Sequence, residues 1–192
     1  STKNKFVYRN LQPYAVAAQP KRKHTPFRIV YAGLLGVAQD IYSIIENIPF
    51  QSIGAEFHLY GGGNQTEKIK EYINKHPGCF VYYHGYVKKE QIAEELSRYD
   101  ASIVPLTVAI KGAVPSKIYD LIPIGIPILF CGGGEGAEIV SKYYFGMVSK
   151  PHDFKQLHNN IIELINLPDE EYSTISKNCL DMAKNEFDFN KQ

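Results

Sequence analysis

From Arg28 onward, short apolar runs of strand length alternate with stretches whose apolar residues recur at helical spacing. Ile29–Ala32, Phe57–Tyr60, Phe80–Tyr83, Ala101–Pro105, Ile126–Cys131 and Met147–Ser149 are predicted strands. Asn64, with Glu67 at the reciprocal position, opens a helix carrying Ile69, Tyr72 and Ile73 on one face. Ile92, Leu96 and Tyr99 fall together in the next helix. Asp153 with Gln156 caps another, whose inner stripe is Leu157, Ile161, Leu164 and Ile165. A last helix after Pro168 runs through Tyr172, Ile175, Cys179, Met182 and Ala183. Strands separated by helices close as parallel crossovers, so the expected fold is α/β, a doubly wound Rossmann-like parallel sheet with helices on both faces. Residues 1–26 read as a linker or hinge, because "QPYAVAAQPKRKHTP" is rich in proline and charge, although "FVYRN" before it is a short strand candidate. Residues 27–192 form one domain. The chain begins at Ser1 rather than Met and stops at "EFDFNKQ", and we expect a fragment of a longer protein.

Composition narrows the partners. Lys plus Arg number 21 against 20 Asp plus Glu, so no basic field gathers nucleic acid. Cys79, Cys131 and Cys179 are widely spaced and form no metal or redox motif. No apolar run reaches the roughly 18 residues that a membrane span needs. The 14 tyrosines are read as packing residues.

The run Val114 to Phe130, "VPSKIYDLIPIGIPILF", carries the most chemical information. Pro115 forces Val114 out of the α region. Ser116 is then placed to cap a helix, with Lys117 in its first turn and Asp120 one turn further in. Gly125 ends that helix, and Ile126 to Phe130 suits a strand buried on both faces. Free N–H groups and a lysine at a helix start make an anion site. A carboxylate one turn on accepts hydroxyl groups such as those of a ribose. The plainer alternative is a capped helix with Lys117 and Asp120 paired on its surface at (i, i+3) spacing.

In open sheets of this kind, ligands bind beyond the carboxyl ends of the strands. The first predicted strand ends in Gly33-Leu34-Leu35-Gly36, the second in Gly61-Gly62-Gly63 and the third in His84-Gly85-Tyr86-Val87. The fourth ends at Pro105 and leads into the Val114 run, and the fifth ends in Gly132-Gly133-Gly134-Glu135-Gly136. Glycine lets backbone approach a ligand closely, and several glycine-rich ends on one edge describe a lined cleft. A GxGxxG fingerprint, a P-loop and a phospho-acceptor aspartate at a strand end are all missing. So is any His/Asp/Glu cluster at metal-ligand spacing.

This arrangement resembles the carboxyl-terminal, donor-binding domain of GT-B glycosyltransferases of family 4 (group 1), the bacterial surface-polysaccharide type. The likeness runs in order through residues 28 to 165. It includes the glycine after the first strand, "YGGG" for the family's Gly-x-Gly, "HGYV" for its Gly-x-Val turn and "VPSKIYDLIPIGIPIL" for its Val-Pro-Ser-Lys segment. "GGGEGAEIVSKYYFGMVSKPHD" matches the Gly-Glu segment that follows.

The resemblance implies roles. Ser116 and Lys117 would hold the donor diphosphate, Asp120 the ribose hydroxyls, and Tyr86 with Val87 the nucleobase. Gly33, Gly61, Gly62 and Gly63 would allow close approach of the donor. His84 is a candidate to face the donor sugar, although a histidine at a strand end serves equally as a half-buried packing residue. Glu135 either holds a sugar hydroxyl or favours a helix start. Four positions depart from the family. Leu34 and Gln39 stand where it often has Arg and Lys, and Gly112 where it has the first of two glutamates; Asp120 is itself one methylene shorter than the usual second glutamate. Lys117, with Lys111, would then neutralise the diphosphate alone.

The implied activity is retaining transfer of a sugar from a nucleotide diphosphate, UDP-linked, to a glycan or lipid-linked acceptor in lipopolysaccharide, capsule or exopolysaccharide synthesis. The nucleotide-sugar is a substrate, so no cofactor or metal is held by the protein. The acceptor, and any catalytic base, would come from an amino-terminal domain that this chain lacks, and no catalytic residue is identified. The isolated chain is expected to bind donor without turnover, in the cytoplasm, with at most peripheral contact with the inner face of the cell membrane. The alternatives are a nucleotide-sugar epimerase or hydrolase on the same fold, and a non-catalytic nucleotide-binding module.

Overall fold

A computed structural model describes residues 23–107 and 115–187. Six strands form one sheet in the order β3-β2-β1-β4-β5-β6: β1 (Phe27–Ala32), β2 (Ala55–Tyr60), β3 (Val81–Gly85), β4 (Ala101–Pro105), β5 (Ile128–Cys131) and β6 (Gly146–Ser149). Every neighbouring pair is parallel, so all carboxyl ends, with their glycine-rich loops, lie on one edge. The helices are α1 (Ile41–Asn47), α2 (Thr66–Lys75), α3 (Ile92–Leu96), α4 (Ser116–Leu121), α5 (Gly134–Lys142), α6 (Phe154–Asn166) and α7 (Asp169–Phe187). This is the doubly wound α/β architecture that the alternation predicts.

Period-two alternation divides the core between the two faces of the sheet. Ile29, Tyr31, Phe57, Leu59 and Leu129 pack with Ile41, Ile44, Ile69, Leu157 and Ile161. Val30, Val104, Ile128 and Phe130 pack with Ile118, Leu121, Val140 and Cys179. All five residues of β4 are buried, as a central parallel strand requires.

Strand boundaries shift by one or two residues for stated reasons. β3 begins after Phe80, whose φ of 58° is left-handed and not a strand conformation. β5 begins at Ile128 rather than Ile126, after Pro127, which has no N–H for the ladder.

Two capping expectations are corrected. Pro115, with φ −56° and ψ 125°, is the residue that precedes α4, so Ser116 is the first helical residue and makes no side-chain cap. Asn64 does not cap α2. Instead the Gly63 N–H donates to Thr66 Oγ1 at 2.9 Å, and Gln65 precedes the helix with its amide engaged by the Tyr42 N–H and by Asp40. The Asp153 cap is as expected, with its carboxylate accepting from the Gln156 N–H at 2.9 Å. Gly125, φ 69°, stops the short 3-10 turn that follows α4.

The predicted linker lies mostly outside the described residues, as do "FVYRN", Lys111, Gly112 and Val114. At its described end, Lys23 bonds the carbonyl of Ile165 at 2.9 Å and that of Leu167. The backbone N–H and Nδ1 of His24 both meet the carboxylate of Asp100, buried at the start of β4.

Candidate functional site

The carboxyl edge carries a cleft of about 440 Å³ walled by Ala32, Gly33, Leu34, Tyr60, Gly61, Gly62, Tyr86, Val87 and Ile92. It therefore lies across the ends of β1, β2 and β3, where a doubly wound sheet binds ligands. Gly33, Gly61, Gly62, Tyr86 and Val87 stand on its walls as the sequence places them. Gly63, Ser116, Lys117, Asp120, His84 and Glu135 are not among the wall residues.

Lys117 is nonetheless bound to this cleft from behind. Its ammonium donates to the carbonyl oxygen of Ala32 and lies 5.3 Å from the centroid of the Tyr31 ring. Its Nζ and Cε occupy the space that a side chain on Gly33 would need. The alternative surface pair with Asp120 is not realised: among the described residues no carboxylate lies within ion-pair distance of Lys117. Burial holds the ammonium below its ordinary pKa, with the field of Asp120 acting in the opposite sense. A half-buried cation whose direct contacts among the described residues are a carbonyl and a ring face is incompletely compensated, and an arriving anion would complete it.

Asp120 is solvent-accessible, yet the protein mass around it still raises its carboxyl pKa, against the opposing fields of Lys117 and Lys89. Ser116 is exposed at the start of α4.

The glycines serve the protein's own packing as much as any ligand. A side chain on Gly61 would collide with the carbonyl of Gly33, and one on Gly63 with the carbonyl of Leu35. The turns after β1 and β2 thus lie backbone against backbone, joined by the Gly33 N–H to the Tyr60 carbonyl and the Leu35 N–H to the Gly62 carbonyl, both at 3.0 Å. A side chain on Gly62 would meet the hydroxyl of Tyr86 instead. Tyr86, 83% exposed, leans across the cleft over that bare position.

His84 is not a wall residue but packs behind one, Tyr60. It shares a 2.8 Å hydrogen bond with His58 and stacks on Tyr60 at 4.7 Å. His58 Nε2 meets Glu56 at 3.2 Å, and since a carboxylate only accepts, neutral His58 takes its second bond at Nδ1 from His84 Nε2–H. Burial lowers both imidazole pKa values. Glu135 lies in the first turn of α5, away from the cleft wall. Gln39, at the position where the resembled family often has lysine, buries its Oε1 without a partner beside a small cavity lined also by Asp40, Ser149 and His152.

Sequence reasoning missed Tyr31, Tyr60 and Ile92. Tyr31 carried a signal, a tyrosine two residues before the glycine turn in a strand otherwise apolar on that face. Tyr60 and Ile92 read as ordinary core residues. Among the described residues no group of three His, Cys, Asp or Glu is placed to hold a metal, and no helix is long and apolar enough to cross a membrane.

The family described as Glycosyl transferases group 1 matches residues 26–167. No curated protein matches the chain. Among solved structures it is similar to Staphylococcus aureus TarM, with TM-score 0.69, 18% identity, 88% of this chain and 34% of that one covered. It is similar to Anabaena HepE in complex with UDP-glucose, with TM-score 0.70, 18% identity, 84% of this chain and 45% of that one covered. It is likewise similar to the catalytic domain of cholesterol-alpha-glucosyltransferase from Helicobacter pylori, with TM-score 0.65, 19% identity, 84% of this chain and 99% of that one covered. The chain thus spans about a third of TarM and under half of HepE. These likenesses give the fold, a Rossmann-like half of the GT-B type.

Proposed function

The chain belongs to the group 1 glycosyl transferases, and from that premise we propose that its cleft is the donor site of a nucleotide-sugar-dependent transferase, taking a UDP-linked sugar. The observation that carries this reading is Lys117, an incompletely compensated ammonium set directly behind Ala32 and Gly33 of the cleft wall. The donor diphosphate would lie against Lys117 and the amides of Ser116 and Lys117. The ribose would be held by Asp120, and the nucleobase in the turn of Tyr86 and Val87, with Gly33, Gly61 and Gly62 keeping the wall low. His84, engaged with His58 and stacked on Tyr60, and Glu135, in the first turn of α5, are the candidates for the donor sugar.

In the transfer itself, charge grows on the leaving diphosphate as the glycosidic bond breaks. A lysine whose position is fixed before reaction stabilises that charge without reorganisation. The acceptor, a glycan or lipid-linked saccharide, must be brought to near-attack distance and screened from water. Since the described cleft walls come from the ends of β1, β2 and β3 and from Ile92, we assign the acceptor to a second domain of a longer protein, with residues 1–26 as the hinge. Retention at the anomeric carbon, a place in surface-polysaccharide synthesis and work at the inner face of the cell membrane belong to the same proposal. Titration with UDP followed by amide NMR tests the site. Shifts concentrated at Leu34, Gly62, Tyr86, Val87, Ser116 and Lys117 are expected, and shifts confined to other segments would refute it.

A further inference from the structure

Besides the Ala32 carbonyl, the Lys117 ammonium meets the ring of Tyr31. Tyr31 is wholly buried in β1. Its ring lies 5.3 Å from the Lys117 ammonium, and its hydroxyl donates to the carbonyl oxygen of Leu34 at 2.7 Å. A side chain on Gly33 would come within 3.1 Å of that hydroxyl and would overlap Lys117. Tyr31, Gly33 and Lys117 therefore converge on one spot behind the cleft wall. Phe27 and Ile29 fill the other β1 positions on this face without polar atoms, so packing alone would be served by phenylalanine.

The chemistry of the contact matters. A carboxylate would fix the lysine and also cancel its charge. The face of an aromatic ring attracts a cation through its quadrupole and leaves the net charge whole. The phenol stays neutral, since burial raises its pKa far above the ordinary value. Its hydroxyl is therefore free to hold the turn after β1, whose Leu34 forms part of the cleft wall.

We propose that Tyr31 is the positioning residue of the anion site, its ring holding the Lys117 ammonium without neutralising it and its hydroxyl fixing the Leu34 turn. This rests on the reading of Lys117 as the diphosphate ligand.

Two variants separate the two halves. Tyr31→Leu removes the ring, and Tyr31→Phe keeps the ring and removes the hydroxyl. The Lys117 pKa is measured by side-chain NMR in the ligand-free protein, amide exchange is followed at Leu34 to Gly36, and UDP and uridine are titrated by calorimetry. Tyr31→Leu is expected to lower the Lys117 pKa by roughly half a unit to one and a half units, the effect of losing one cation–π contact. It should weaken UDP much more than uridine. Tyr31→Phe should leave that pKa in place while exchange at Leu34 to Gly36 rises at least severalfold. An unmoved Lys117 pKa in folded Tyr31→Leu, or unmoved exchange in Tyr31→Phe, overturns the proposal. Should Tyr31→Leu fail to fold, the exchange arm in Tyr31→Phe still decides. If the wild type ignores UDP while the ligand-free pKa responds to Tyr31→Leu, the donor reading falls and the positioning of Lys117 stands.

Discussion

Lys117 reaches from the first turn of α4 to the carbonyl oxygen of Ala32, the last residue of β1, rather than to Asp120 on its own helix. The fold thereby keeps a cation partly out of water with no carboxylate within ion-pair distance among the described residues, the field of Asp120 offsetting the burial only in part. Burial depresses its pKa below 10.5. The native state therefore binds this proton less readily than the unfolded chain, and Lys117 penalises folding at neutral pH. The penalty is full below the depressed folded value and is relieved as pH rises through that value toward 10.5. Lys117→Met should raise Tm at pH 7, and the advantage should shrink in alkaline buffer. A lower Tm for this variant at pH 7 would show that the ammonium is well compensated.

Asp120 has the opposite sign. Its carboxyl pKa is raised above 3.8, chiefly by the partial desolvation that the surrounding protein imposes on an accessible group, against the fields of Lys117 and Lys89. The stability its proton confers is complete below 3.8 and is lost as pH rises through the folded value. Asp120→Asn should therefore be slightly stabilising at pH 7, with the gain fading in acid. If Asp120 accepts the ribose hydroxyls, the same variant weakens UDP by roughly tenfold and leaves pyrophosphate unchanged. Equal losses for both ligands would remove it from the ribose site.

The His58–His84 pair makes the fold acid-sensitive. Both imidazole pKa values lie below 6.5 because burial disfavours the charged rings. The native state then takes up protons less readily than the unfolded chain, so stability falls as pH drops through 6.5 toward the folded values. Urea denaturation across that range should show the loss in the wild type. A His58→Gln, His84→Gln double variant should flatten it, and an unchanged slope would locate the acid sensitivity elsewhere.

Two glycines with left-handed φ separate strain from collision. Gly54, φ 71°, faces open space, whereas Gly61, φ 114°, faces the Gly33 carbonyl. Gly54→Ala should cost about 1–2 kcal/mol, the conformational penalty alone. Gly61→Ala adds backbone overlap and should cost roughly 3 kcal/mol or more. Similar chemical denaturation midpoints for the two variants would mean that the turns after β1 and β2 are free to part.

The strands were legible because buried parallel strands write themselves as apolar runs. The apolar run Ala101–Pro105 coincides with β4 residue for residue, and the spacing of Asp153 with Gln156 is that of the cap it forms. Helix starts were less legible. Asn64 and Ser116 have the right chemistry at plausible spacing, but the residue that precedes each helix is fixed by local context, Pro115 with its extended ψ in one case and Gln65 with its engaged amide in the other. Residue types at the carboxyl edge indicated a cleft, and Gly33, Gly61, Gly62, Tyr86 and Val87 do line it. Spacing could not show that His84 turns to His58 or that Lys117 turns inward past Asp120. Those directions depend on partners from other strands, Tyr31 and Tyr60 among them, that only the folded sheet brings near.

The central claim is that Lys117 is held behind the cleft to receive a diphosphate, and calorimetric titration of Lys117→Met with UDP and with uridine tests it most directly. The account predicts that UDP affinity falls by roughly 10- to 150-fold, the value of one charge-assisted hydrogen bond, while uridine affinity is unchanged. Equal losses for UDP and uridine, or no loss for either, would contradict it.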